Sequence, residues 1–374
     1  MTTPSSQAET KVRMLHTQIR DLAYQRGPGS KLPTVRELCQ MFQTSRVSLY
    51  EALDDLEAQN ILYREQSRGI FVSQKIYRKS ICIVLDTSLL LRTSASPFWG
   101  MLWGHFAAVT QQRSQIKDEY YTMHLISRVP GNDTQLPEEI ERLIQTECIH
   151  GVLAVGFPAA FNEHIMSRGV PCVTFAEGGN WMVGLNMIEV LRLGVKCLTE
   201  QGCQQIGLWN TTFWQGDSNV AVPSYDGLFA SFLQTYRQTF HPDLIQSIYK
   251  LSAAQSSLPF QTFQEQGYQL ALQVFTNPAL PKPDGIVSTD DMMTDGLLAA
   301  FQTLGIRVGE DVKIATHANK SSMMLFKHMR GMTVIEFDPE DIVHAMFSML
   351  DQLLVGQTPS QRVIEIAPSL LSRS

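Results

Sequence analysis

Nine short apolar runs separated by amphipathic stretches constrain this chain more than any other feature. The runs are ICIVL (81–85), YYTMHLI (120–126), GVLAVG (151–156), PCVTF (171–175), QIGLW (205–209), GIVST (285–289), VKIAT (312–316), MTVIEF (332–337) and VIEIA (363–367). Helical spacing between them predicts helices near 99–113, 137–147, 187–201, 224–238, 261–276, 292–304 and 339–355. Continuous apolar strands alternating with helices require parallel sheets covered on both faces. Nine strands are too many for one sheet of ordinary size. The expected class is therefore α/β, with two doubly wound lobes over residues 81–374. A crevice at the C-terminal strand edges is where a ligand would sit.

Residues 1–74 read differently, as a small DNA-binding domain, with 75–80 as a linker. Val12, Leu15, Ile19 and Leu22 place a first helix over 11–25, ended by RGPGSKLPT with its glycines and prolines. Thr34 and Glu37 form a capping-box pair for a short helix over 35–42. A tight turn at Gln43 and Thr44 follows, and Ser45 caps a longer helix to about residue 59. There Leu49, Ala52, Leu53 and Leu56 make one apolar stripe. The opposite face shows Arg46, Ser48 and Tyr50. A short helix, a tight turn and a second helix with polar N-terminal residues suit a major groove. ILYREQSRGIFVSQ adds two strands, 62–65 and 70–73, around a basic tip at Arg68 and Gly69.

Charge agrees with this division. Residues 1–78 hold eleven Lys and Arg against eight Asp and Glu, a net +3, which leaves −9 of the total −6 for the rest. A basic head on an acidic body suits a nucleic-acid contact confined to the head. No run of about eighteen apolar residues predicts a membrane span. The N-terminal MTTPSSQAETK lacks an apolar signal core, so a cytoplasmic protein is expected. The six cysteines form no C-x-x-C pair, so reduced thiols are expected, with no metal site and no disulfide framework.

The head resembles the winged helix-turn-helix of GntR-family bacterial regulators. LPTVREL, SRVSLYEALDDL and SRGIFV follow that family's order of helix, recognition helix and wing. The resemblance implies that Arg36 contacts phosphate or guanine, that Thr44, Ser45, Arg46, Ser48 and Tyr50 lie at the major groove, and that Arg68 and Gly69 approach the minor groove. An arginine can bond bidentately to guanine O6 and N7. Tyr50 stands where the family often has arginine, and Arg68 where it has a first wing glycine.

The body resembles the LacI/GalR-type regulatory domain, itself similar to periplasmic sugar-binding proteins. SPFWGMLWGHF, GVLAVGF, GVPCVTF, PDGIVSTDDMMTDGLLAAFQTLGIRVGEDVKIAT and MTVIEFDPEDIVHAMFSMLDQLLVGQ carry the resemblance. A GntR-like head on such a body resembles the arabinose-responsive repressors of Gram-positive bacteria. That implies a periplasmic-binding-protein type body that dimerises and holds a small effector between lobes, with chain passages near 186, 318–338 and 356. The implied effector residues are Phe98, Trp99, Glu177, Ser224, Asp290, Asp291, His317 and Asn319. Several depart from the family pattern: Ser224 replaces a sugar-clamping arginine, and 316–319 read Thr-His-Ala-Asn where Gly-Phe/Tyr-Asp-Asp is usual. Asn186 stands for a usual aspartate, and Ala176 for an acidic residue. For several residues a structural role competes. Phe98 and Trp99 fit a core or an interface, Asp290 or Asp291 fits a helix cap, and Met292, Met293, Met323 and Met324 fit core packing.

The expected function is a ligand-responsive transcription regulator, a repressor in the family's manner, that binds palindromic double-stranded operator DNA as a homodimer with a sugar or sugar-like effector. The competing reading is a DNA-bound regulator whose body has lost sugar binding and serves protein interaction. An enzyme is not expected, and no cofactor is. The sequence has no G-x-S-x-G elbow, P-loop, G-x-G-x-x-G turn or H-E-x-x-H helix, and no block resembling the cofactor lysine of the aminotransferase-like bodies fused to some GntR-type heads.

Overall fold

The structure, a computed structural model, describes residues 4–91, 96–117, 119–127, 138–145, 149–176, 178–211, 225–247, 262–325 and 331–371. Helix α1 (Pro4–Arg26) begins earlier than the expected residue 11 and stops where Gly27 and Gly29 take left-handed φ. Thr34 starts α2 (Val35–Met41) with a full capping box. Its hydroxyl accepts from the Glu37 N–H at 3.3 Å, and the Glu37 carboxylate accepts from the Thr34 N–H at 2.7 Å. Gln43, at φ 50°, turns the chain into α3 (Arg46–Ala58). The stripe of Leu49, Ala52, Leu53 and Leu56 is buried and meets Leu15, Ile19 and Leu38 in one core. Strands β1 (Leu62–Glu65) and β2 (Gly69–Val72) pair antiparallel as the wing.

The body starts at β3 (Lys79–Asp86), so part of the expected linker is already strand. The first lobe continues through α4 (Ser88–Leu91), α5 (Pro97–Ile116), β4 (Glu119–Ile126), α6 (Glu138–Gln145), β5 (Gly151–Val155), α7 (Ala159–Ser167), β6 (Cys172–Phe175) and β7 (Met182–Leu185). The second lobe holds α8 (Met187–Glu200), β8 (Ile206–Asn210), α9 (Tyr225–Thr235), β9 (Ile245–Ser247), α10 (Phe263–Thr276), β10 (Gly285–Ser288), α11 (Asp291–Leu304), β11 (Lys313–Asn319) and β12 (Thr333–Phe337). Helix α12 (Pro339–Leu354) then returns to the first lobe. Strand β13 (Val363–Ile366) pairs parallel with β7, and β14 (Ser369–Leu370) pairs antiparallel with β12.

Two sheets result, ordered β13-β7-β6-β5-β3-β4 and β14-β12-β11-β10-β8-β9. Every pairing in them is parallel except β12 with β14. The chain passes between the sheets at Asn186, at Asp338 and at 367–368. The last passage corrects the expectation near 356. Gly356 lies on the turn between α12 and β13, and both belong to the first lobe. Helices cover both faces of each sheet, and each face has its own apolar core. Of the four methionines expected in the core, Met292 and Met293 are buried and Met324 packs against the second lobe's core, whereas Met323 is 74% exposed.

Helices α10 and α11 meet through glycine. A Cβ built on Gly296 would sit 1.9 Å from the Gln264 carbonyl oxygen, and one on Gly267 would sit 2.3 Å from that of Met293. Neither backbone can give way without parting the helices. Gly296→Ala is therefore expected to destabilise the protein by about 1–3 kcal/mol through overpacking, despite the better helix propensity of alanine. Urea denaturation of the purified variant checks this, and unchanged stability would contradict the close approach.

Candidate nucleic-acid interface and effector cleft

The head's apolar residues are spent on its core, and its candidate DNA-contacting residues stay largely at the surface. Arg36 follows the cap of α2 and is exposed. Arg46 is the first residue of α3 and is also exposed. Neither forms an ion pair among the described residues. Ser45 is the N-cap of α3: its Oγ accepts from the Ser48 N–H at 3.2 Å and lies 3.0 Å from Ser48 Oγ. Both hydroxyls thus hold the helix end in shape and keep spare hydrogen-bonding capacity. Thr44 is half-buried in the turn, and Tyr50 is 44% exposed one turn along α3. Val47, which sequence reasoning missed, is 69% exposed between Arg46 and Ser48. An apolar residue there suits a thymine methyl group, and its absence from the buried stripe was the available signal.

At the wing, Ser67 at φ 62° and Gly69 at φ 122° make the turn. Arg68 pairs with Glu65, which offsets part of the charge expected at the tip. The Arg68 guanidinium lies 5.9 Å from the Phe71 ring centre and the Lys31 ammonium 5.8 Å from it. Lys31 was also missed. Its segment runs alongside β2, with the Leu32 N–H bonded to the Ile70 carbonyl at 2.9 Å.

In the body, the C-terminal ends of β8, β10 and β11 gather polar residues. Asp290 caps α11 by accepting from the Met293 N–H at 2.8 Å, so the helix-cap role is realised there. Burial, and then the neighbouring Asp291, push the Asp290 carboxyl up to about 7. Asp291 is 2% exposed and accepts from Asn319 Nδ2 at 3.4 Å. His317 is buried, and burial lowers its pKa against the opposing pull of Asp291. Four buried polar atoms here have no hydrogen-bond partner among the described residues: both ring nitrogens of His317, Asn319 Oδ1 and Asn210 Oδ1. Asn210 ends β8, two strands from β11, and was not singled out in the sequence.

Phe98 and Trp99, the aromatic members of the implied effector set, pack against the first lobe's core. Phe98 is 7% exposed, with its ring 4.9 Å from Trp99 and 6.0 Å from Phe175, inside the first lobe's core. Trp99 is half-buried against the same cluster, 6.2 Å from Phe175. Phe98 thus takes the core role, whereas Trp99 keeps a partly exposed edge. Asn186 caps α8, accepting from the Glu189 N–H at 3.0 Å. Glu177 and Ser224 lie outside the described residues.

Comparison with known proteins agrees with both halves. Residues 8–72 match the family described as bacterial regulatory proteins, gntR family, and residues 195–374 match the periplasmic binding protein-like domain. An uncharacterized HTH-type transcriptional regulator of Bacillus subtilis, YurK, is 40% identical over 112 residues, covering 29% of this chain and 46% of that protein. The HTH-type transcriptional repressor PurR of Escherichia coli is 27% identical over 109 residues, covering 29% of this chain and 31% of that protein. The matches thus span less than half the length of these relatives. A LacI-family regulatory protein from Chloroflexus aggregans superposes with a TM-score of 0.60 at 16% identity, over 78% of this chain and 97% of that one. A complex of the transcriptional regulator CelR with cellobiose gives 0.56 at 16% identity, over 88% and 91%. These structural likenesses speak to the fold. Residues 8–72 thus resemble a gntR-family regulatory domain, residues 195–374 resemble a periplasmic binding protein-like domain, and the body has the fold seen in solved LacI-family regulators.

Proposed function

We propose that this protein is a ligand-responsive bacterial transcription regulator, acting as a repressor. In this reading it binds a palindromic operator as a dimer and takes a small polyhydroxylated effector, a sugar or sugar-like molecule, between its lobes. The observation that carries the DNA half is the arrangement of α3. Its buried stripe faces the core, while Arg46, Val47 and Tyr50 stand exposed on its first turns. A two-fold dimer would set two such helices into successive major-groove turns.

The effector half rests on the unpartnered polar atoms of His317, Asn319 and Asn210. Buried polar groups without partners are costly, and hydroxyl groups of a ligand would satisfy them. That cluster weighs against a body that has lost small-molecule binding. The cellobiose complex among proteins of like fold adds support for a sugar-like ligand. An effector that prefers one lobe arrangement shifts operator affinity only by its differential affinity for the two states.

Selection of bound DNA from a random library, at a stated salt concentration, tests the whole reading. An enriched palindrome is expected, and an unenriched pool would contradict sequence-specific dimeric binding. Arg46→Ala is expected to weaken operator binding by about 1–3 kcal/mol and relax one base position. Arg36→Ala, read as a phosphate contact, should weaken all sequences alike and lower the salt slope by about 1. Titrations across a mutant operator set separate these outcomes. For the body, Asn319→Ala should abolish the rise in melting temperature that a sugar panel produces with the unaltered chain. Because the folded-state pKa of Asp290 is raised, the folded chain holds a proton that the unfolded chain releases near pH 4. This group therefore favours folding at low pH, and its contribution is lost as pH rises from about 4 to about 7. Asp290→Asn should flatten that part of the stability profile, measured by urea denaturation at each pH.

A further inference from the structure

The four unpartnered buried atoms at the ends of β8 and β11 are one-sided in their chemistry. Asn210 Oδ1 and Asn319 Oδ1 are acceptors. The Asn319 amide is fixed in that sense, because its Nδ2 donates to the Asp291 carboxylate at 3.4 Å. The other two atoms are the ring nitrogens of His317. Burial lowers the pKa of that ring, so at about pH 7 it is neutral and offers one donor and one acceptor. Three unmet acceptors therefore stand against one unmet donor.

These side chains share a face of the sheet. Trp209, Ser288 and Thr316 stand opposite one another across β8, β10 and β11. Asn210 and His317 are thus level with each other, and Asn319 lies two residues beyond His317 on the same strand. By strand alternation all three fall on the side that carries Leu208 and Ala315.

Acid lies beside them. Asp291 is 2% exposed, accepts the one long bond from Asn319, and has no ion pair among the described residues. Its neighbour Asp290 is the carboxyl that burial and Asp291 push up to about 7. Lys320 follows Asn319 in the chain but pairs with Asp338 at the surface, at 2.5 Å. A buried carboxylate among unmet acceptors is costly. A hydroxyl would bring one donor and no charge, whereas a protonated amine brings three donors and a positive charge. We infer that the effector is an amine-bearing polyol, an amino sugar, whose ammonium group is taken by Asp291 and Asn319 and whose hydroxyls are taken by His317 and Asn210. This rests on the effector reading given above and narrows it from sugars in general to cationic ones.

Calorimetric titration of the full chain without DNA, at about pH 6.5 where such amines stay protonated, tests the inference. The probes are glucosamine, galactosamine and mannosamine, each set against its neutral parent hexose and its N-acetyl form. At least one amino hexose is expected to bind about tenfold or more tightly than both of its counterparts. Asp291→Asn keeps the size of the side chain and removes the like charge beside Asp290. It should melt no lower than the unaltered chain and should bring the ratio of amino to neutral affinity close to one. Asn210→Ala deletes an unpartnered buried group, so it should keep its melting temperature while weakening amino and neutral probes alike. The two readings fail differently. If a neutral hexose binds as tightly as its amino form, the effector reading stands and this inference is overturned. If no hexose of any kind binds, both fall. A preference for the amine that survives in Asp291→Asn also overturns the inference, because another group must then supply the charge.

Discussion

Arg113 fastens together the two ends of a long circuit of chain. It projects from α5 and lies 4.4 Å from the Phe347 ring centre on α12. Its Nη atoms donate to Asp351 at 2.6 and 3.1 Å and to Glu119 at 3.1 Å, and its Nε donates to Tyr121 at 2.7 Å. Burial opposes the charge, yet the bonds from Asp351 and Tyr121 hold the guanidinium protonated beyond its usual range. Lys117 completes the set at 2.8 Å from Asp351. Because α12 arrives from the second lobe, this cluster and the apolar seam beside it bind that helix to the first lobe's sheet. A buried charge left alone would cost several kcal/mol, so each member of the cluster depends on the others.

The head solves a different problem with short-range means. Its helices α2 and α3 are brief, and intrinsic propensity alone would not hold them. Side-chain caps at Thr34 and Ser45 satisfy their first N–H groups, and one shared core fixes their crossing. The same hydroxyls that finish α3 stand beside Arg46. The residues that shape the reading surface and those that would touch DNA are therefore neighbours. Substitutions at Ser45 or Ser48 would disturb the helix end as well as any contact made there, whereas Arg46 and Tyr50 take no part in the cap.

Much of this was legible in the sequence because it rests on local signals. Caps, the apolar stripe of α3, and most strands and helices of the body follow from spacing and composition. The misses have physical reasons. Strand β7, MVGL, is four residues long and contains a glycine, so no apolar run marks it. Helix α7, AAFNEHIMS, buries Asn162, which bonds to the Cys172 carbonyl at 3.2 Å and so reads as polar in a core position. The turn at Gly356 looked like a passage between lobes, because the partner of β13 is set by strand order and not by local pattern. The same holds for the polar cluster: Asp291 and Asn319 fall within blocks that the resemblance aligns, but Asn210 joins them only because β10 lies between β8 and β11. Phe98 was left between a core role and an effector role, because its spacing does not tell which side of α5 turns inward.

The three passages between lobes also set an order of assembly. Residues 187–337 supply every strand of the second lobe's sheet except the short β14, in one unbroken stretch. The first lobe begins earlier in the chain but lacks α12 and β13 until the ribosome has passed residue 366. Until then the edge of β7 is unpaired and the apolar face later covered by α12 is open. Synthesis therefore leaves the lobe it starts first open until nearly all of the second has been made, and that nascent lobe is the part of the molecule with most to gain from a chaperone.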